Sequence, residues 1–411
     1  MKIDPPSERL EAYWYSALGI TDSLSQLWQD PRKLADNLAQ IRHPEQLFSE
    51  LVSQGKNVER DCNSFWQKSG LPQCDRRRVD RLPDYRVYGS EQVYPPPYEL
   101  KGTELYGFFV EGTMKNLQQL CDRALNHPGS PVTYHPLSHY VMVTFDRVGE
   151  MRSADYPERD RGFFSEREVV FWVLTVVGRK IGAFFQVERL AWFTPYIFVD
   201  SSAALDAGRE VYGFPKQYSQ VQVPQDKASE FTLDTLMLKT FAPNTKAQSD
   251  RLLEIKLKNL DLQPEPIKTF DSLDDVFHQA IDLLLDTDTL DLPGIGLPLK
   301  LTEYLINREV PAVCFKQFRD AEDGTKACYQ GIIEFAFQLT RFNGGKLLGF
   351  EELGHQYEFS IFNHASEPII SDLGLHYRLV DDNSVQIPIK LSVLLDFDFR
   401  LNPGKVIWER R

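Results

Sequence analysis

Hydrophobic positions change their spacing along this chain, and the change divides it. Over residues 7 to 66 they recur near helical period: Leu10, Tyr13, Leu18, Leu24, Leu27 and Trp28, then Leu34, Leu38, Ile41, Leu47 and Leu51, with polar residues between. Pro31 and Pro44 stand near the expected helix starts, where proline is tolerated. Residues 67 to 100 are rich in arginine, proline and tyrosine ("VYPPPYEL") and read as a linker or wrapping segment. The expected organisation is a helical extension over 1–66, a linker over 67–100 and a main domain over 101–411.

From about residue 101 the period becomes that of strands. "LYGFFVEG", "HYVMVTFDRV", "EVVFWVLTVV" and "GAFFQVERLAWF" are aromatic and β-branched, as buried strands are. "EFTLDTLMLKTF" and "LLEIKLKNLDL" alternate apolar and polar residues, the mark of a strand with one wet face. Further strands are expected at "AVCFKQF", "YQGIIEFAFQLTRF", "HQYEFSIF" and "VQIPIKLSVLLDFDF". Helices are few: "TMKNLQQLCDRALN", and "DSLDDVFHQAIDLLLDT" with Asp271 or Ser272 as its cap. Many strands, few helices and no βαβ rhythm predict an α+β fold, a mainly antiparallel sheet or barrel with helices packed outside.

Composition narrows the function classes. The 411 residues are 42% hydrophobic and 12% aromatic, ample for a large core. A net charge of -13 argues against a nucleic-acid partner, and acids interrupt the densest basic run, "CDRRRVDR". No stretch is apolar for the roughly 18 residues of a membrane span. Five scattered cysteines, Cys62, Cys74, Cys121, Cys314 and Cys328, without C-x-x-C spacing, suggest reduced thiols and a cytoplasmic setting. No dinucleotide or P-loop motif occurs, so no cofactor is expected; "FNGGKLLG" reads as a turn. His135 and His139 in "HPLSH" have i, i+4 spacing, but Pro136 suggests a loop, and no metal site is expected.

The stretch from 181 to 218 sets carboxylates and a lysine among aromatic residues. Glu188 lies in a strand-like run beside Phe184, Phe185, Leu190 and Trp192. On spacing alone it either pairs outward with Arg189 or Arg209, or is buried with a partner. Lys216 follows a Gly-Phe-Pro turn, as a loop lysine or as an amine held for chemistry.

"PYIFVDSSAALDAGREVYGFPK" resembles the acetoacetate decarboxylase family: an aromatic strand ending in aspartate, a short helix closing on Gly-Arg-Glu, then an aromatic-Pro-Lys turn. "FKQFRDAEDGTKACYQGIIEF" resembles that family's second recognisable block, and the resemblance spans roughly residues 100 to 411. It implies a Schiff-base carbon–carbon lyase without a cofactor, in which Lys216 attacks the ketone of a β-keto acid and the imine draws off electrons as carbon dioxide leaves. It further implies a homo-oligomer acting on a small keto acid, with Glu188 as the pocket carboxylate and Phe214 on its wall. Arg209, Glu210 and Lys101 are the remaining candidate substrate-binding residues. Members often carry a second lysine where this chain has Gln217, and an arginine near the place of Thr103. Aldol-type cleavage, dehydration and binding without turnover therefore stay open as alternatives to decarboxylation.

Overall fold

A computed structural model describes residues 82–87, 93–181, 184–224, 230–258, 266–272, 276, 294–295, 309–350 and 357–410. The chain divides into two compact units, Met1–Asp84 and Tyr85–Arg411, and the second is described below. The helical segment expected over 1–66 lies outside the described residues, as does nearly all of the helix expected over 271–287.

In chain order the second unit opens with β1 (Tyr98–Glu111), α1 (Met114–Ala124), β2 (Thr133–Ser153), β3 (Phe164–Ile181) and β4 (Phe184–Val199). A short helix α2 (Ser202–Ala207) runs into a π-helical turn (Gly208–Tyr212), and then come β5 (Lys216–Gln222), β6 (Glu230–Met237) and β7 (Gln248–Leu257). After β8 (Lys268–Phe270) and β9 (Gly294–Ile295) follow β10 (Glu309–Arg319), β11 (Ala327–Phe350) and β12 (Tyr357–Phe362). The helix α3 (Ile369–Leu373) precedes β13 (Arg378–Leu379), β14 (Ser384–Ile387), β15 (Ile389–Leu401) and β16 (Lys405–Arg410).

The strands join in the order β10-β11-β15-β1-β2-β3-β4-β5-β6-β7-β12-β14-β13. β10 also pairs with β4, Ala312 opposite Trp192, so the strands from β10 round to β4 close on themselves as a barrel. Closure removes the open edges that such long apolar strands would otherwise expose. The sheet leaves the barrel at β5, which runs parallel to the far end of β4 with Ile197 opposite Lys216. The fold of the described residues is the expected one, a largely antiparallel barrel and sheet with few helices among them.

Two apolar cores hold this arrangement. Phe108, Phe145, Phe231 and Phe359 belong to one, where aromatic edges meet faces 5.4 Å apart at Phe108 and Phe231. Tyr98, Val170, Ile197, Tyr212 and Phe335 belong to the other, which surrounds Lys216. α1 packs its Leu117, Leu120 and Cys121 inward and is capped by Thr113, whose side chain accepts from the Asn116 amide.

Three local expectations differ from the structure. β1 begins at Tyr98, inside the segment read as linker. His135 to His139 lie within β2 and not in a loop; the register with β3 shifts between Pro136 and Val141, at a proline without an amide to donate. "FNGGKLLG" is part of β11 and not a turn, the glycines sitting where register shifts against β15 bend the strand.

Candidate active site

Lys216 opens β5, and its side chain is buried, 7% exposed. Parallel pairing of Lys216 with Ile197, and antiparallel pairing of Ile197 with Val170, put β3, β4 and β5 side by side at this level. Successive side chains on a strand alternate faces, so Glu166, Glu168, Val170 and Trp172 of β3 look the same way. All four line one small cavity with Lys216. Glu168 Oε2 is 3.4 Å from Lys216 Nζ and Glu166 Oε2 is 3.5 Å away, with the Glu166 side chain only 3% exposed.

The π-helical turn makes room for the lysine. A Cβ on Gly208 would fall 2.8 Å from Lys216 Cδ and 2.9 Å from Cε, closer than side-chain carbons approach. Gly213 has φ of +82°, and a Cβ there would stand 2.4 Å from Lys316 Cβ, so only glycine closes this turn against β10. Phe214 is buried against Phe335 and Tyr212, and its ring centroid lies 5.6 Å from the Lys216 amine.

The rest of the wall comes from β1, β2, β11, β15 and the α2 segment, and it is apolar, with Leu100, Met151, Phe337, Phe399 and Leu401 prominent. The tyrosine hydroxyls on it are spent on backbone: Tyr98 donates to the Tyr94 carbonyl and Tyr212 to that of Asn402. The cavity measures about 30 Å³, room for one or two waters as it stands.

Burial pulls the Lys216 ammonium toward deprotonation, but Glu166 and then Glu168 more than offset this and hold its pKa above the ordinary lysine value. Burial pushes Glu166 up to about 7; Lys216 opposes that rise and Glu168 adds to it. A third carboxylate, Asp146 of β2, sits cross-strand from Glu168. It is buried and accepts from the Thr144 hydroxyl at 2.8 Å; burial, then the charge of Glu168, raise its pKa well above the usual range. Cys314 lies near enough to feel the Lys216 charge, although burial dominates and raises its thiol to about 12. The resting amine is thus an ammonium shared by two carboxylates, and Glu166 exchanges a proton near neutrality. An amine so placed becomes a nucleophile by passing its proton to one of them.

The sequence-derived candidates scatter. Phe214 joins Lys216. Glu188 does not: Arg179 Nε binds it at 2.5 Å and Arg189 at 3.3 Å. Positions 188 and 197 are nine residues apart on β4, about 30 Å of strand, so Glu188 cannot reach the lysine level. The carboxylates at the amine are Glu166 and Glu168 instead. Lys101 points outward, exposed and 3.8 Å from Glu99, because its neighbour Leu100 takes the inward face. Arg209 is exposed and donates to the Lys216 carbonyl at 3.3 Å, supporting the backbone and not the cavity. Glu210 accepts from Tyr85 at 2.7 Å and does not line the cavity. Gln217, on the opposite face from Lys216, donates to Thr235 at 2.9 Å. The sequence did carry a signal for the missed pair: "SEREVVFW" puts two acids at i, i+2 on the same face of a strand as Val170 and Trp172. Among the described residues, no group of three His, Cys, Asp or Glu side chains is arranged to hold a metal ion, and no helix is long and apolar enough to cross a membrane.

Comparison with known proteins finds likeness in structure. The chain is similar in fold to acetoacetate decarboxylases. One is acetoacetate decarboxylase from Legionella pneumophila subsp. pneumophila str. Philadelphia 1, at 14% identity, 83% of this chain, 98% of that chain and a TM-score of 0.49. Another is an acetoacetate decarboxylase-like enzyme from Sphingomonas wittichii RW1, at 11% identity, 79% and 98% coverage and a TM-score of 0.46. An enduracididine biosynthesis enzyme is similar at 12% identity, 77% and 90% coverage and a TM-score of 0.45. No family model matches the sequence, and no curated protein matches it.

Proposed function

We propose that this chain is a Schiff-base-forming carbon–carbon lyase that works through Lys216 on a small carbonyl compound. The observation that carries the reading is a buried lysine amine in an apolar cavity, 3.4 Å and 3.5 Å from two carboxylates that can take its proton. The neutral amine adds to a carbonyl carbon, and loss of water leaves an iminium that accepts an electron pair from the neighbouring carbon. In this reading Glu166 and Glu168, not Glu188, accept and return the protons. Phe214 and the aromatic wall exclude water from the iminium.

The resemblance of the sequence points that iminium at an acetoacetate-like β-keto acid, which would lose carbon dioxide. Aldol-type cleavage or dehydration is a second reading, favoured by the carboxylates at the amine, which suit removal of a proton from a hydroxyl or a carbon. A binding protein without turnover is the third, favoured by the two carboxylates that keep the amine charged. Borohydride reduction with carbonyl compounds, followed by peptide mass spectrometry, separates these. A reduced adduct on Lys216 that is missing in Lys216→Ala supports the imine. Ligand-induced thermal stabilisation without any adduct would replace it by the binding reading.

A further inference from the structure

We infer that the carbonyl compound received by Lys216 carries no carboxylate and is an uncharged aldehyde or ketone. This rests on the imine reading, adds the charge of the substrate to it, and within that reading selects aldol-type cleavage over decarboxylation. The charged side chains on the cavity wall are Glu166, Glu168 and Lys216, and Asp146 adds a buried carboxylate whose charge interacts with both glutamates. One amine therefore faces two acids, with a third carboxylate buried behind them. Conversion of the amine into an iminium leaves the same single positive charge for the same carboxylates.

Other cations near this level are committed elsewhere. Arg167 points to the opposite face of β3 and binds Asp200 at 2.7 Å. Arg209 holds a backbone carbonyl, and Lys101 lies outside beside Glu99. Among the described residues no arginine, and no lysine other than Lys216, lines the cavity. A substrate carboxylate would be stripped of water beside two acids that already share the single cation of the cavity. Unpaired like charge is an effective means of rejection. Repulsion would speed the loss of carbon dioxide from a bound keto acid, but these walls offer it nothing to bind. The hydrocarbon surface of Leu100, Val170, Ile197, Phe337 and Phe399 suits alkyl substituents.

The chemistry balances without a further reactant. Lys216 Nζ bonds to the carbonyl carbon, its proton passes to a carboxylate, and water leaves as the iminium forms. In aldol-type cleavage a carboxylate takes the proton of a β-hydroxyl, the bond between the α and β carbons breaks, and its electron pair enters the iminium to give an enamine. A second carbonyl compound departs. Protonation of the enamine carbon and hydrolysis with one water return the amine and the shortened ketone. No oxidant or reductant is consumed.

The test uses the full chain and borohydride trapping with acetone, 2-pentanone and butanal, set against pyruvate, acetoacetate and 3-oxohexanoate at equal concentration. Labelling of Lys216 is read by peptide mass spectrometry relative to the exposed Lys239. The expected result is labelling by the uncharged compounds at least about tenfold faster than by the acids. Equal or faster labelling by the acids, or carbon dioxide release from acetoacetate that disappears in Lys216→Ala, would overturn the inference and leave the imine reading in place. No Lys216 adduct with any compound, in protein with native circular dichroism, would overturn both.

Discussion

Glu168 Oε2 stands 3.4 Å from Lys216 Nζ although the two residues lie far apart in sequence, on strands that are not paired with each other. β4 separates them in the sheet order, and the glutamate and the lysine reach each other across it. This geometry sets the charge of the amine, and charge decides how readily it attacks a carbonyl. Burial favours the neutral amine; Glu166 and Glu168 favour the ammonium and prevail. Glu168→Gln removes one of the two and lowers the lysine pKa. The pH profile of borohydride trapping should move to lower pH, and labelling at neutral pH should rise about tenfold for every pH unit the profile moves. A profile that stays in place or moves upward would contradict this assignment.

Gly208 leaves the space through which the lysine stem passes. Gly208→Ala places a methyl 2.8 Å from Lys216 Cδ, and the stem must turn away from the cavity. Trapping at Lys216 should fall by at least about tenfold while the unfolding free energy changes by no more than about 2 kcal/mol, because the backbone at this position is ordinary right-handed helix and alanine suits it. Denaturant titration beside the trapping assay separates the two effects.

Glu188 supplies a contrast on β4. It is held by Arg179 and Arg189 at the far end of the strand. Glu188→Gln should leave Lys216 labelling within about twofold of the parent and cost less than about 1 kcal/mol, as for other ion pairs with an exposed partner. A large loss of labelling would place Glu188 back at the reaction centre.

The pH dependence of stability has a definite sign. Glu166 titrates near 7 in the folded chain, raised by burial, but at the ordinary carboxylate value when unfolded. Between those values the folded state binds the extra proton, so this group's contribution to stability falls as pH rises from about 4.5 toward about 7. Glu166→Gln should flatten that part of the profile. Denaturant unfolding at a series of pH values measures it, and an unchanged slope would count against the assignment.

Elsewhere on the barrel, Glu334 accepts from Tyr134 at 2.6 Å and from two nitrogens of Arg189 at 2.6 Å and 2.8 Å. Glu334→Ala leaves the fully buried Tyr134 hydroxyl without its acceptor and the half-buried Arg189 guanidinium with only its longer contact to Glu188, and should destabilise by about 2–4 kcal/mol. Chemical denaturation measures the loss, and a change below about 1 kcal/mol would show that water replaces the carboxylate.

Strand-like apolar runs along the chain were enough to determine that residues after about 100 form strands, and the run "TMKNLQQLCDRALN" reads as the helix that α1 is. The sequence also contained, unread, the fact that Glu166 and Glu168 share a face with Val170 and Trp172. Such patterns are local: each follows from the geometry of one element. Tertiary structure alone decided which strands meet. The register that sets Ile197 opposite Lys216 and Val170 opposite Ile197 depends on strand pairing and on closure between β4 and β10. That register set Glu188 at the end of β4 away from Lys216 and brought two glutamates from an earlier strand to the amine. An ionisable group's pKa depends on the few ångströms around it, and for Lys216 those ångströms are filled by residues that are distant in sequence.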